Sequence, residues 1–158
     1  MPQGPMTEGD AFLLFQRAKF KTRLPHGRLF TAGHMWLRNA EDDLWQIGLT
    51  RFALRMLGEP VELDLERPLD APLETGQVVG WLEGFKAVSD LFTPMPGRFA
   101  GGNPALDADL RRVHKSPYDK GWIFAVRGAP GDDCVDTEGY ASFLEATIDK
   151  MLGEEQKA

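Results

Sequence analysis

The sequence predicts a small, mainly β domain with a few short helices, and three observations predict it. Apolar runs are short, and one of them, Val61-Glu62-Leu63-Asp64-Leu65, alternates strictly as a half-buried strand does. Seventeen Gly and eleven Pro are spread along the 158 residues, so tight turns recur and long helices are few. Apolar residues make up 42% of the chain, enough to close a modest core.

In order along the chain, residues 1–10 (MPQGPMTEGD) are polar and Pro/Gly-rich and read as disordered. Residues 11–23 interleave apolar and basic side chains. Phe12, Phe15 and Phe20 could dock as a short helix or as an extended arm, and the pattern does not choose. Pro25 and Gly27 break the chain before Leu29. Met35–Leu37 and Leu44–Leu49 flank the acidic turn Asn39-Ala40-Glu41-Asp42-Asp43 as a hairpin. Thr50 as N-cap, apolar residues at 53, 54 and 57, and the closing Gly58 predict one short helix over Arg51–Leu57.

Two further extended runs, Val78–Glu83 and Ala87–Phe92, are separated by Gly84-Phe85-Lys86, a second hairpin with Lys86 at its tip. Gly101-Gly102 reads as a turn, Asn103–Val113 as a short helical segment, and Gly121–Val126 as a last strand. Asp136 can cap a helix running to about Leu152, with Tyr140, Phe143, Leu144, Ile148 and Leu152 on one apolar face. The divisions expected are an N-terminal extension (1–28), a central domain (29–128) and a C-terminal helix packing on it (129–158).

Composition argues against several functions. A net charge of −6 with no dense basic stripe is unlike a nucleic-acid binder; Arg17, Lys19, Lys21 and Arg23 read as a solvated arm. The N-terminal apolar run, Ala11–Phe15, is too short to span a bilayer and lacks the flanks of a secretory signal, so no membrane role is expected. A cytoplasmic location is the default, or the mitochondrial matrix in a eukaryote. One cysteine, Cys134, allows neither an internal disulfide nor a thiolate metal cluster, and His26, His34 and His114 show no ligand spacing. No metal site is expected. Cys134 in its acidic loop reads as a protonated, inert thiol, and His34 near Trp36 as a structural side chain.

A lysine at a turn is ordinary, because its ammonium stays hydrated there. Lys86 stands out through its surroundings. Glu83 lies three residues before it, Asp90 four after it, and Ser89 is beside the second acid. The two acids could merely blunt a strand edge. With the lysine between them they read more readily as handles for a modifying enzyme. Phe85 beside the lysine reads as exposed, able to shelter an attached ring or touch a partner.

The string Glu83-x-x-Lys86-Ala87-Val88-Ser89-Asp90-Leu91-x-x-Pro94-x-x-Gly97 resembles the lipoylation segment of glycine cleavage H proteins. His34-x-Trp36 and Gly48-Leu49-Thr50-x-x-Ala53-x-x-x-Leu57-Gly58 resemble the family's first hairpin and the helix after it. Gly76, Asn103-x-Ala105-Leu106, Ser116-Pro117-Tyr118-x-x-Gly121-Trp122 and Asp136-x-x-x-Tyr140 follow in the family's order. The resemblance spans roughly residues 29–152. It implies a lipoyl/biotinyl-type flattened barrel-sandwich of two small sheets with peripheral short helices and a C-terminal helix.

It also implies a carrier with no catalytic residues of its own, and lipoate amide-linked to Lys86 by a lipoate ligase or lipoyl transferase; Glu83, Asp90, Phe85 and Ser89 read as recognised by that enzyme or by partners. The arm would carry an aminomethyl group from glycine decarboxylase to an aminomethyltransferase and be reoxidised by dihydrolipoyl dehydrogenase. The chain departs from the pattern at Met35 (usually Glu), Gly84 (usually Ser), Glu59-Pro60 and Asp70 (commonly Gly), and its N-terminal arm is longer than usual. Those departures suit a divergent branch. The alternatives are an H-like carrier serving sulfur oxidation or a lipoyl relay, a biotinyl carrier, disfavoured because Phe85 and Ala87 stand where methionines would flank the lysine, or an unmodified binding module that kept the fold.

Overall fold

The structure, a computed structural model, describes residues 11–157 of the chain; the expectation for residues 1–10 lies outside them. The first described element is a hairpin, β1 (Phe12–Arg17) and β2 (Phe20–Pro25), turning through Ala18 at φ 53°. It answers the question left open between helix and arm: alternation wins, because Phe15, Phe20 and Leu24 face inward while Leu14, Lys21 and Arg23 face out.

There follow β3 (Leu29–Phe30), β4 (Met35–Glu41), β5 (Leu44–Leu49), α1 (Arg51–Leu57), β6 (Pro60–Leu65), β7 (Pro72–Leu73), β8 (Val78–Gly84), β9 (Val88–Phe92) and β10 (Gly97–Gly102). Two helical turns, α2 (Ala105–Ala108) and α3 (Arg112–Lys115), precede β11 (Phe124–Arg127) and the C-terminal helix α4 (Thr137–Lys157).

Strands β3-β4-β5-β11-β10-β7 form one sheet and β6-β8-β9 the other. The two close over a common core of Leu37, Ile47, Val79, Leu82, Leu91, Phe124 and Val126, each almost wholly buried. Excluding water from side chains of this size contributes about 1.5–3 kcal/mol apiece, which is what holds two small sheets together. This is the mainly β domain with short helices that the sequence pattern predicted, in the sandwich arrangement that the family resemblance implied.

A second cluster lies outside the sandwich. Met35 and Leu37 point into the core, so the intervening Trp36 points out, where it joins Phe30, Phe52, Tyr140, Leu144, Ile148 and the hairpin's Phe15, Phe20 and Leu24. α4 and the hairpin thus cover the back of β3 and β4. Asp136 caps α4 by accepting from the Gly139 amide at 2.8 Å. Arg17 ties the hairpin to α4 with a bidentate pair to Asp149 (2.8 and 2.7 Å) and a contact to Glu145 at 3.0 Å.

Several expected boundaries move. The segment 103–113 is two turns broken at Asp109, whose extended backbone and carboxylate bond to the Arg111 amide end the first. Gly101 and Gly102 belong to β10, where the Gly101 φ of 95° accompanies a shift in register against β11. The last strand begins at Phe124, and α4 runs on to Lys157. Phe143 and Leu152, expected on its apolar face, are 38% and 37% exposed, since the buried stripe runs through Tyr140, Leu144 and Ile148.

Candidate functional site

The site begins at the end of α1. Thr50 caps this helix by accepting from the Ala53 amide, and Gly58 closes it with φ 80°, a conformation open essentially to glycine alone. The chain then passes beneath the β8–β9 tip. The Leu57 carbonyl accepts from the amides of Lys86 (2.8 Å) and Ala87 (3.3 Å), and the Glu59 carbonyl accepts from Phe85 at 3.0 Å. Within the tip, the Gly84 amide donates to the Ala87 carbonyl at 2.9 Å.

Three consecutive tip amides are therefore held by a separate segment, which fixes the backbone from which the Lys86 side chain projects. A Cβ at position 84 would stand 2.2 Å from the Leu57 oxygen. The closeness of this brace accounts for glycine where the family pattern has serine. Asp70, which fills another glycine position, has φ 67°, the left-handed region where aspartate is among the better tolerated residues. Met35, in place of the usual Glu, is buried at 6% exposure in the core.

Lys86 is exposed, and its Nζ donates to the Arg55 carbonyl at 3.2 Å. No carboxylate pairs with it among the described residues. Phe85 is 78% exposed, as its place at the tip predicts. The strand register sets Glu83 opposite Val88 and Asp90 opposite Trp81, so both acids share one sheet face, one on each strand. Asp64 lies opposite Trp81 and Glu62 opposite Glu83 on that face. Ser89 lies opposite Leu82 and belongs to the other face, so the four residues singled out around Lys86 do not form one patch.

Beside the tip is an open cavity of about 620 Å³, bordered by His34, Met35, Phe52, Met56, Ser89 and Asp90 among others. From His34 in its lining a polar chain runs into the interior: His34 Nδ1 meets the buried Tyr140 hydroxyl at 2.8 Å, and that hydroxyl meets the buried Thr50 Oγ1 at 2.9 Å. Burial holds the His34 imidazole below its usual pKa and pushes the Tyr140 phenol up, so both stay neutral at physiological pH. The Cys134 thiol is likewise raised, first by burial and then by Asp133.

Sequence reasoning missed the brace from Leu57 and Glu59, the cavity, and the short strands β3, β7 and β10. The one local signal for the brace was Gly58 following the helix. Among the described residues there is no group of three or more His, Cys, Asp or Glu placed to hold a metal, and no helix is long and apolar enough to cross a membrane.

An amide-linked carrier group needs a primary amine that is exposed, free of ionic partners and set on a rigid support, and Lys86 meets each requirement.

Comparison with known proteins is consistent with this geometry. The family model described as glycine cleavage H-protein matches residues 28–146. The glycine cleavage system H protein of Bacteroides fragilis is 35% identical over 125 residues, covering 77% of this chain and 98% of that protein. Its counterpart in Edwardsiella ictaluri is 32% identical over 127 residues, covering 78% and 98%. The crystal structure of a glycine cleavage system H protein from Mycobacterium marinum superposes with a TM-score of 0.66 at 27% identity, covering 75% of this chain and 97% of that one. All of β1 and β2 precedes the matched residues. With a family model matching residues 28–146 and relatives 35% identical over about three quarters of this chain, the chain belongs to the glycine cleavage H-protein family, a family of lipoyl carriers without catalytic activity of their own.

Proposed function

We propose that Lys86 is the lipoylated residue, and that the chain serves glycine cleavage by presenting this arm in turn to glycine decarboxylase, an aminomethyltransferase and dihydrolipoyl dehydrogenase. The observation that carries this reading is the exposed Lys86 amine on a tip whose three amides are bonded to the α1–β6 connection. When attached, the dithiolane supplies the sulfur that takes up and hands on a one-carbon amine unit. The protein supplies position. A fixed base for a long flexible arm raises the effective concentration of its end at each partner, and the brace keeps that base in one orientation.

Glu83 and Asp90, on one face, are handles for the lipoate ligase or lipoyl transferase. Phe85 and Ser89 contact that enzyme or later partners from the tip and the cavity side. Residues 29–128 form the carrier unit, 129–158 the helix packed on it and 1–28 an extension; the protein works in the cytoplasm, or in the matrix if its host is a eukaryote.

Intact-mass measurement of the protein from its native host, beside Lys86→Arg, tests the attachment. One lipoyl increment over the sequence mass is expected on the first and none on the second; an increment on both, or on neither, overturns it. Buried Met35 in place of the family's Glu favours a second reading, a lipoyl carrier for another system such as sulfur oxidation. Exchange of glycine carbon with bicarbonate by the host's decarboxylase, with and without the lipoylated chain, separates the two.

A further inference from the structure

Beside the tip lies a groove of about 420 Å³ that shares no lining residue with the acidic sheet face; it is bordered by Lys86 itself, Lys21, Arg51, Arg55 and His114, with Glu59 as its one carboxylate. In a chain of net charge −6 this clustering runs against the overall balance. Lys21 and Arg55 are exposed and have no carboxylate in ion-pair range among the described residues.

Lys21 reaches the groove only because the hairpin is anchored. Phe20 packs edge-on against Phe52 at 5.5 Å, the Arg55 guanidinium lies over the Phe20 ring at 5.4 Å, and Arg17 is paired to α4. The hairpin precedes the residues matched by the family model, so this wall of the groove is an addition to the shared domain. Across the tip, Glu62, Asp64, Glu83 and Asp90 carry the opposite charge.

We propose that this groove docks an acidic surface segment of the enzyme that acylates Lys86. The proposal rests on Lys86 being the attachment site. The acylating enzyme is favoured over the proteins visited later because the Lys86 ammonium is one of the groove's own charges. Transfer from an activated lipoyl donor makes the C–N bond at Nζ, breaks the donor's bond between the acyl carbon and its leaving group, and releases protons to solvent. The groove then holds one positive charge fewer. It attracts an acidic partner before modification and releases it more readily afterwards. The carboxylates on the other face repel the same acidic segment, which leaves Glu83 and Asp90 to a different part of the enzyme and fixes the orientation in which it docks.

The test uses the full unmodified chain with the host's lipoate ligase, lipoate and ATP, following the mass of the product. At low salt, Lys21→Glu and Arg55→Glu are expected to raise the apparent KM about tenfold with kcat within about twofold, and the difference should shrink as salt approaches about 0.3 M. Lys86→Arg, which keeps the charge, should inhibit the reaction several-fold more tightly than the neutral Lys86→Gln. Circular dichroism of each variant confirms that the hairpin charges were changed without unfolding. An unchanged KM at low salt, a KM effect insensitive to salt, or equal inhibition by the two Lys86 variants overturns the docking proposal while leaving the attachment site intact. A wild-type chain that takes up no lipoyl mass overturns both.

Discussion

The two hairpins β4–β5 and β8–β9 both end in exposed charged turns, yet they are held by different means. The β4–β5 turn is built from its own residues: the Asn39 side chain donates to the carbonyls of Asp42 and Leu44 at 2.9 and 3.1 Å, and Asp42 takes φ 46°. From outside, the Gly128 amide, just past the end of the adjoining β11, donates to the Asp43 carbonyl at 2.9 Å. The β8–β9 tip instead has three amides held by residues 57 and 59, nearly thirty positions away in sequence. A local turn suffices to reverse a chain. A turn that presents a cargo residue benefits from a support that does not bend with its own strands.

The comparison can be broken most severely at Gly84. Gly84→Ala places a Cβ 2.2 Å from the Leu57 oxygen, so the tip must leave its brace. A loss of about 3 kcal/mol in urea denaturation is expected, together with loss of hydrogen-exchange protection at the Lys86 amide. If protection at Lys86 survives, the brace is not what holds the tip.

Gly58→Ala strikes the other partner. Its φ of 80° with ψ −175° suits glycine alone, and a Cβ there would lie 3.1 Å from the Lys86 amide nitrogen and Cγ. A cost of about 1–3 kcal/mol is expected from denaturant midpoints.

A smaller effect is expected at the other end of β4, where His34 turns at φ 63°. Burial holds its folded-state pKa below the ordinary imidazole value of about 6.5. The unfolded chain therefore binds the proton more readily, and stability present above that value declines as pH falls from it toward the folded pKa. Denaturation at pH 7.5 and 5 should show a flatter pH dependence in His34→Asn, which removes the titrating group and tolerates the backbone. An identical slope in both proteins would assign the pH dependence elsewhere.

The smallest change is expected from Asn39→Ala. Two exposed hydrogen bonds are lost from a turn already flanked by paired strands, so about 0.5–1 kcal/mol is expected, with no change in exchange at Lys86. The contrast between Asn39→Ala and Gly84→Ala at that one amide is the sharpest test of whether the two hairpins differ as described.

Much of this molecule was legible in sequence because its signals are local. Thr50 and Gly58 delimit α1, Asp136 caps α4, and the apolar runs on each side of Lys86 form the hairpin with that residue at its tip. The two-residue strands β3 and β7 were not legible, since so short a run carries no period and exists only through its partner strand. Residues 11–23 had a readable alternation but no readable partner, so helix and extended arm could not be told apart, and the hairpin was not foreseen, without the meeting of Phe15, Phe20 and Leu24 with Phe52 and α4.

By itself, then, the sequence determined a small, mainly β domain with added helices and a lysine at the end of a hairpin, which follow from periodicity and turn chemistry acting over a few residues. The sandwich arrangement came only as what the family resemblance, carried by motif spacing, implies. Only the tertiary structure decided that Leu57 and Glu59 brace the tip, that Ser89 faces away from Glu83 and Asp90, and that Lys21 shares a groove with Lys86. Each of these depends on residues far apart in the chain being brought together by the closing of the core, and no local pattern encodes that distance.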